Sequence, residues 1–445
     1  MPAGAPSTAH ATWSPGRQGP AGEVQRAGTG YGGDVDDQRP RRRRRDQTLR
    51  LLRQGYPWAP ELRDGETAVP TRLLGRPAVV LGGVAGVRRF YDDRLRRRGA
   101  FPPPVKLVLF GPGAVHGLDD AAHHHRKALL LDVLGAEAVD LLGAAAALRW
   151  AERVAGWAGR DEVTVFDEAV DLIASAVLPW AGIDVGPDEQ RLRGRLLADV
   201  VGGFATAPPP WAVAALARVR LDRWATGLVR RTRAGELTPP PGSALAVLAG
   251  GRDGAGRLLP ARVAAVELLN VVRPSVAVAW FVAFAALALV EQPGWRARIA
   301  DGDAAAARAF AHEVRRCYPF VPVLAARARR AQDVLGQPVR RGGLVVLDVH
   351  GTTHDPGAWP DPDRFDPARF LGPVEEEALV PQGGGDVRTG HRCPGEGVTL
   401  TLLEVAVRRL AAAPWTPVPG QDLGWSTARM PTRPRSGVRL RPGRA

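Results

Sequence analysis

Cysteine is almost absent from this chain of 445 residues, which has only Cys317 and Cys393. That excludes a disulfide scaffold and fits a reducing, cytoplasmic setting. Lysine is as scarce, with Lys106 and Lys127 alone, so the formal charge of +14 is carried almost entirely by arginine. The amino terminus, Met1-Pro2-Ala3-Gly4, lacks an apolar leader core, and no secretion signal is expected. No apolar run reaches the roughly 20 residues of a membrane span. The longest, Ser275 to Val290, follows Arg273-Pro274 and reads as a buried core helix, so no membrane anchor is expected. Internal repeats and zinc-like cysteine spacings are absent as well.

What is present is a 45% apolar fraction, enough for a sizeable core, with abundant Ala, Leu and Arg. These favour helix, and the expected class is mainly α with a small β-rich region (α+β). Residues 1–45 are rich in Gly, Ala, Pro and Arg, lack periodicity and read as a disordered tail. Its block Arg39 and Arg41–Arg45 could touch nucleic acid or acidic lipid, but nothing nearby resembles a nucleic-acid module, and a solvated tail is the plainer reading. Residues 46–445 read as one folded domain. Ala68 to Leu81, broken at Gly75, predicts a β hairpin. Helices are expected at Glu137–Ala158, Asp167–Trp180, Trp211–Ala234, Pro260–Val290 and Ala304–Cys317. A second extended patch spans Ala325–Val349, with a turn at Arg340-Arg341-Gly342-Gly343 before Leu344–Leu347. A proline-rich loop covers Asp355–Phe370, and a last helix begins just after Cys393.

Cys393 follows Gly383-Gly384-Gly385 and precedes Pro394-Gly395 and an apolar-periodic run. A cysteine at a helix start meets unsatisfied N–H groups and the positive dipole end, which lower its pKa and favour thiolate. Haem iron needs only one protein thiolate; a buried, inert cysteine is the alternative. Cys317, on a helix with no such loop, reads as inert. Arg273 in an apolar segment is costly unless paired, and either a bound anion or an acidic residue elsewhere would serve. Pro274 removes the bond to the Asn270 carbonyl and predicts a kink.

Three motifs in order, Glu313-Val314-Arg315-Arg316, Pro367-Ala368-Arg369-Phe370 and Gly390-His391-Arg392-Cys393-Pro394-Gly395, resemble the cytochrome P-450 superfamily. The resemblance implies that fold, haem b (iron protoporphyrin IX) on Cys393, and a Glu313–Arg316–Arg369 cluster fixing the loop that carries the ligand. The cysteine loop departs from the usual pattern: Asp386 and Thr389 stand where Phe and Gly are usual. The distal helix also lacks the acid–alcohol pair of ordinary monooxygenases. Asn270-Val271-Val272-Arg273-Pro274-Ser275, the extended cysteine loop and Leu109-Phe110-Gly111-Pro112-Gly113-Ala114-Val115-His116 resemble instead the bacterial fatty-acid peroxygenase branch.

That branch implies a long-chain fatty acid whose carboxylate pairs with Arg273 beside Pro274 and serves as the acid–base group for hydrogen peroxide. The products would be 2- or 3-hydroxy acids or terminal alkenes, with no redox partner and no nucleic acid involved. His116 would face the haem and, as a group that can donate protons near neutral pH, leans towards some alkene formation. Phe110 would pack in the same pocket. By the same resemblance His123, Arg126 and Lys127, with Arg388 and His391 as weaker candidates, would hold the propionates. Two alternatives stand beside this one: a reductase-dependent monooxygenase, and a non-enzymatic haem-binding protein.

Overall fold

The computed structural model describes residues 45–206 and 209–443. Of the tail expected at 1–45, all but Arg45 lies outside the described residues. β1 (Ala68–Leu73) and β2 (Arg76–Leu81) form the expected antiparallel hairpin. The other strands are β3 (Leu95–Arg96), β4 (Val163–Thr164), β5 (Val323–Ala328), β6 (Gln332–Val334), β7 (Gln337–Val339), β8 (Leu344–Asp348), β9 (Trp415–Pro417) and β10 (Arg439–Pro442). One five-stranded sheet runs β1-β2-β8-β5-β3, with β2 and β8 parallel. Two small sheets, β4-β10-β9 and β6-β7, are separate from it in hydrogen bonding.

The helical part is larger. Its main members are α1 (Asp120–Val133), α2 (Ala136–Ala155), α3 (Val165–Trp180), α4 (Pro187–Gly203), α5 (Pro210–Arg233), α6 (Ala261–Val276), α7 (Val278–Glu291), α8 (Ala304–Cys317) and α9 (Glu396–Ala412). α8 begins where Asp303 caps it, its Oδ1 accepting from the Ala306 amide at 2.8 Å, as N-cap carboxylates do. α4 is an addition to the expected set, although Pro187 at its first position and Asp188 and Glu189 in its first turn are helix-start signals.

α6 and α7 form one run, Ala261–Glu291, long and apolar enough by composition to cross a membrane. In the fold, 83% of its most apolar window is buried inside the protein. A helix apolar on all sides needs such a core, and burying Trp280, Phe281 and Phe284 contributes about 1.5–3 kcal/mol each. The disturbance expected at Pro274 takes a mild form. Helix continues through it and is interrupted at Ala277, whose amide still donates to the Arg273 carbonyl at 3.0 Å.

The segment after β8 is tied to α8 by one carboxylate. Glu313, fully buried, accepts from Arg316 Nε and Nη2 at 2.7 Å each and from the Asp366 amide at 2.8 Å. Arg369 Nε stands 3.6 Å from the same carboxylate. Arg316 Nη1 also donates to the carbonyls of Thr353 (3.0 Å) and Pro362 (2.8 Å), and Arg369 Nη2 to that of Asp361 (2.9 Å). A segment with only short helical turns is thereby held by two guanidiniums and one acid. Glu313→Ala leaves Arg316 an uncompensated buried cation, and stability should fall by about 3–5 kcal/mol. Equilibrium urea unfolding reads this directly, and an unchanged midpoint would mean that the cluster does not hold the loop.

Candidate active site

Cys393 ends the loop that leads into α9. Its amide donates to the Gln382 carbonyl at 3.1 Å, and the Gly390 amide donates to the Asp386 carbonyl at 2.9 Å. Asp386 closes the tip, its Oδ1 accepting from the amides of Arg388 (2.8 Å) and Thr389 (2.6 Å). Gly383, Gly384 and Gly385 wrap the Tyr91 side chain, which a Cβ at any of them would meet at 3.3 Å or closer. The glycine run is thus a packing requirement as well as a turn.

Burial is the largest influence on the Cys393 thiol and pushes it up, while the Gly395 amide at the helix start pulls the other way. The expectation of a lowered pKa is therefore corrected: loss of water outweighs the helix terminus in the metal-free thiol. A bound cation reverses that balance, because a coordinated thiol is deprotonated. Cys317 behaves as expected of an inert thiol, pushed up to about 12 by burial.

Beneath the loop, Lys127 Nζ donates to the Gly390 carbonyl (2.5 Å) and the Arg392 carbonyl (2.7 Å). His123 stacks on His391 with ring centroids 3.9 Å apart, and His391 Nε2 lies 3.8 Å from Asp119 Oδ1. Burial pushes His123 down to about 3. Arg388 is exposed on the loop tip. Arg126 Nη1 pairs with Glu267 Oε1 at 2.9 Å, a contact the sequence did not suggest, and its Nε is buried without a partner.

Glu267 starts a polar ladder along α6. It is fully buried and accepts from the Val115 amide at 2.8 Å as well as from Arg126. Asn270 Nδ2 donates to Glu267 Oε2 (3.3 Å) and to the Phe110 carbonyl (3.1 Å). Asn270 Oδ1 then accepts from Arg273 Nη2 at 3.1 Å. Arg273 is 6% exposed, and its Nε is buried with no hydrogen-bond partner. Burial, then the neighbouring Arg218, pushes its pKa down to about 9, which still leaves a cation at neutral pH.

His116 stacks on Phe110, centroids 4.1 Å apart, and its Nδ1 is a second buried atom without a partner. Burial first, and then Arg273, bring His116 down to about 3. The expectation of a protonated donor near neutral pH is corrected accordingly: this ring is neutral and acts through a single N–H and one lone pair. The approach is tight. Gly111 has φ 89 and ψ 159, a region that is essentially glycine's alone, and a Cβ there would stand 2.0 Å from Arg218 Nη2.

The two halves lie close enough to feel each other's charge. The charge on Cys393 bears on Arg273, and those on His391, His123 and Lys127 bear on His116. Cys393, His116 and His391 are hemmed in by neighbours yet keep intermediate solvent-accessible surface, as groups lining internal space do. Among the described residues no group of three or more His, Cys, Asp or Glu is gathered as metal ligands. A lone thiolate beside internal space, with orphaned donors at Arg273 and His116, fits a metal that brings its other ligands with it, as haem does.

Four side-chain roles escaped the sequence reading. Arg97 is buried, its guanidinium 4.1 Å over the Phe90 ring, and lines a small cavity with Phe101, Lys106, Phe110 and His116. Gln382 Nε2 reaches Cys393 Sγ at 3.9 Å and Thr399 Oγ1 at 2.8 Å. Glu267 and Asn270 lie three and six positions before Arg273, on the helix face that i, i+3 spacing defines, so their signal was present. Nothing local marked Arg97 among its neighbouring arginines.

Comparisons with known proteins bear on the family. A family model described as Cytochrome P-450 matches residues 306–410. Cyclooctat-9-en-7-ol 5-monooxygenase of Streptomyces melanosporofaciens is 36% identical over 107 residues, which is 22% of this chain and 22% of that protein. The chain thus spans little more than a fifth of that curated relative. Solved structures match far more. Cytochrome P-450SP alpha (CYP152B1) in complex with (R)-ibuprofen has a TM-score of 0.86 at 37% identity, over 89% of this chain and 98% of that one. A variant of cytochrome P-450 OleT in complex with arachidonic acid has a TM-score of 0.85 at 32% identity, over 89% and 96%. With identity sustained along nearly the whole length of these structures, the chain belongs to the cytochrome P-450 family, on the branch that holds CYP152B1 and OleT.

Proposed function

We propose that the protein is a haem-thiolate peroxygenase that uses hydrogen peroxide to hydroxylate long-chain fatty acids at the carbon α or β to the carboxyl, or to decarboxylate them to terminal alkenes. Residues 46–445 form the haem-thiolate domain in this reading, and haem b is the prosthetic group. The observation that carries it is Arg273: a buried cation with unused donors, held by a neutral amide and not by an acid. Such a group is matched by a carboxylate through two parallel hydrogen bonds. The solved relatives support the same chemistry, since arachidonic acid and ibuprofen are both carboxylic acids.

Cys393 is the iron ligand, and His123, His391 and the buried Arg97 are the groups suited to the propionates. Lys127 supports the ligand loop through its two carbonyl contacts, and Arg126 braces Glu267. When bound, the haem supplies peroxide cleavage and C–H oxidation, helped by electron donation from the thiolate.

The chain's own residues set up the proton chemistry. Arg273 fixes the substrate carboxylate, with Pro274 and Asn270 shaping its place on α6. The carboxylate then takes a proton from one oxygen of hydrogen peroxide and returns it to the other, the general acid–base task. Anchoring the carboxyl leaves its nearest carbons in reach of oxidation. The balance closes in both directions: fatty acid and peroxide give hydroxy acid and water, or alkene, carbon dioxide and two waters. Peroxide brings both oxygen and oxidising equivalents, so no redox partner is required, and the scarcity of cysteine supports a cytoplasmic setting.

Arg273→Ala should lower peroxide-driven turnover of palmitate by about 100-fold or more, the scale of a lost acid–base group, while the ferrous–CO spectrum stays that of a thiolate haem. Product analysis by mass spectrometry measures this, and near-wild-type turnover would overturn the reading. Because His116 is held down to about 3, its protonation does not change between about pH 6 and 8. The ratio of alkene to hydroxy acid should therefore vary by less than about twofold over that range. A ratio that titrates with a midpoint near an ordinary imidazole would contradict a neutral His116.

A further inference from the structure

An open depression of about 590 Å³ lies at one end of the five-stranded sheet and is lined by Arg76, Arg96, Arg98, Gly99, Arg327 and Gly342; Gly99 also borders the small cavity at Phe110 and His116. Four of its six lining residues are arginines and none is acidic. The sheet brings them together. Arg76 begins β2, Arg96 lies on β3 with Arg98 just beyond it, and Arg327 lies on β5. Arg96 and Arg327 are direct antiparallel partners, and like charges directly opposite across a strand pair repel.

No carboxylate among the described residues offsets that repulsion. None of the four guanidiniums makes an ion pair with a described residue, although arginines elsewhere on the surface commonly do. The Nε of Arg96 is buried without a hydrogen-bond partner. Arg327 is instead clamped by backbone: its Nε donates to the Gly99 carbonyl and its Nη1 to the Gly342 carbonyl, at 2.8 Å for the latter. Gly99 and Gly342 take φ 73 and 77 to present those carbonyls, a conformation that favours glycine. Nη2 of Arg327 makes no such bond. Burial, followed by Arg76 and Arg96, lowers the Arg327 pKa, the mark of a crowded set of cations.

We propose that this cavity is a binding site for a polyphosphate anion, a group carrying two or more linked phosphates. A single carboxylate would neutralise one of four charges and fill little of the volume. Linked phosphates offer several oxyanions at the spacing of separate guanidinium forks, which match phosphate geometry in pairs. The volume lies within the range of small-molecule sites. The four arginines have no role in the proposed peroxygenase chemistry, and the site does not depend on it.

The test uses the full-length, haem-loaded protein and tripolyphosphate, titrated calorimetrically in about 0.1 M salt, where exposed charges are largely screened beyond a Debye length. The expected result is one-to-one binding that Arg96→Gln/Arg98→Gln weakens at least tenfold. Arg220→Gln/Arg223→Gln, on exposed arginines of α5 outside the cavity, should change it less than twofold. Arg98 is exposed, so Arg98→Gln alone keeps the test open if the double variant folds poorly. Vesicles of phosphatidic acid in phosphatidylcholine separate the source. Vesicle binding lost in the same variant and competed by tripolyphosphate makes a lipid headgroup the donor of the phosphates. Binding weakened equally by both double variants, or no binding of tripolyphosphate by the wild type, would overturn the site.

Discussion

A guanidinium inside a protein has to be paid for, and Arg273 is held there with no acid in contact. Its one hydrogen-bond partner among the described residues is the Asn270 amide oxygen. The nearest carboxylate on the same helix, Glu267, is committed to Arg126, the Val115 amide and Asn270. A second cation, Arg218, adds to the strain on it. Pairing Arg273 with an acid of the protein would have been the less costly arrangement. The fold instead orients the charge through a neutral amide, so its attraction for an incoming anion is undiminished.

Much of the surrounding structure follows from that constraint. The Glu267–Asn270 ladder ties α6 to the Phe110 carbonyl and the Val115 amide, which fixes Phe110 and His116 beside the cation. Gly111 accepts a backbone conformation closed to other residues so that the chain can pass Arg218. On the opposite side Cys393 is desolvated, and its charged form is the one group that raises the Arg273 pKa. The Glu313 cluster is the contrasting case. There a buried acid meets two arginines and a backbone amide, and the outcome is support without reactivity.

Long periodic segments were the most legible part of the sequence. Ala304–Cys317 has the limits expected of it, and the hairpin at β1 and β2 follows from its alternation and its glycine. The proposed ligand and the buried cation were legible as local oddities, a cysteine in a glycine-rich loop and an arginine in an apolar helix. Ionisation states were not. His116 and Cys393 are shifted by burial, a property of the packed interior that no local motif carries. The Arg126 ion pair was hidden for a related reason: its partner Glu267 lies on a different helix, and a pairing across the fold leaves no mark in spacing. Arg97 was hidden by its neighbours, since one buried arginine beside half-buried and exposed ones differs only in where the backbone points it.

The most direct test compares palmitate with hexadecanol, its uncharged analogue, by the Soret shift on titrating the haem-loaded protein. A buried, oriented charge pair broken by loss of one partner costs about 3–5 kcal/mol, so palmitate should bind the wild type about 100-fold more tightly or better. In Arg273→Gln that preference should all but vanish while hexadecanol binding is retained. Equal affinities for the two ligands in the wild type would contradict a carboxylate anchored at Arg273.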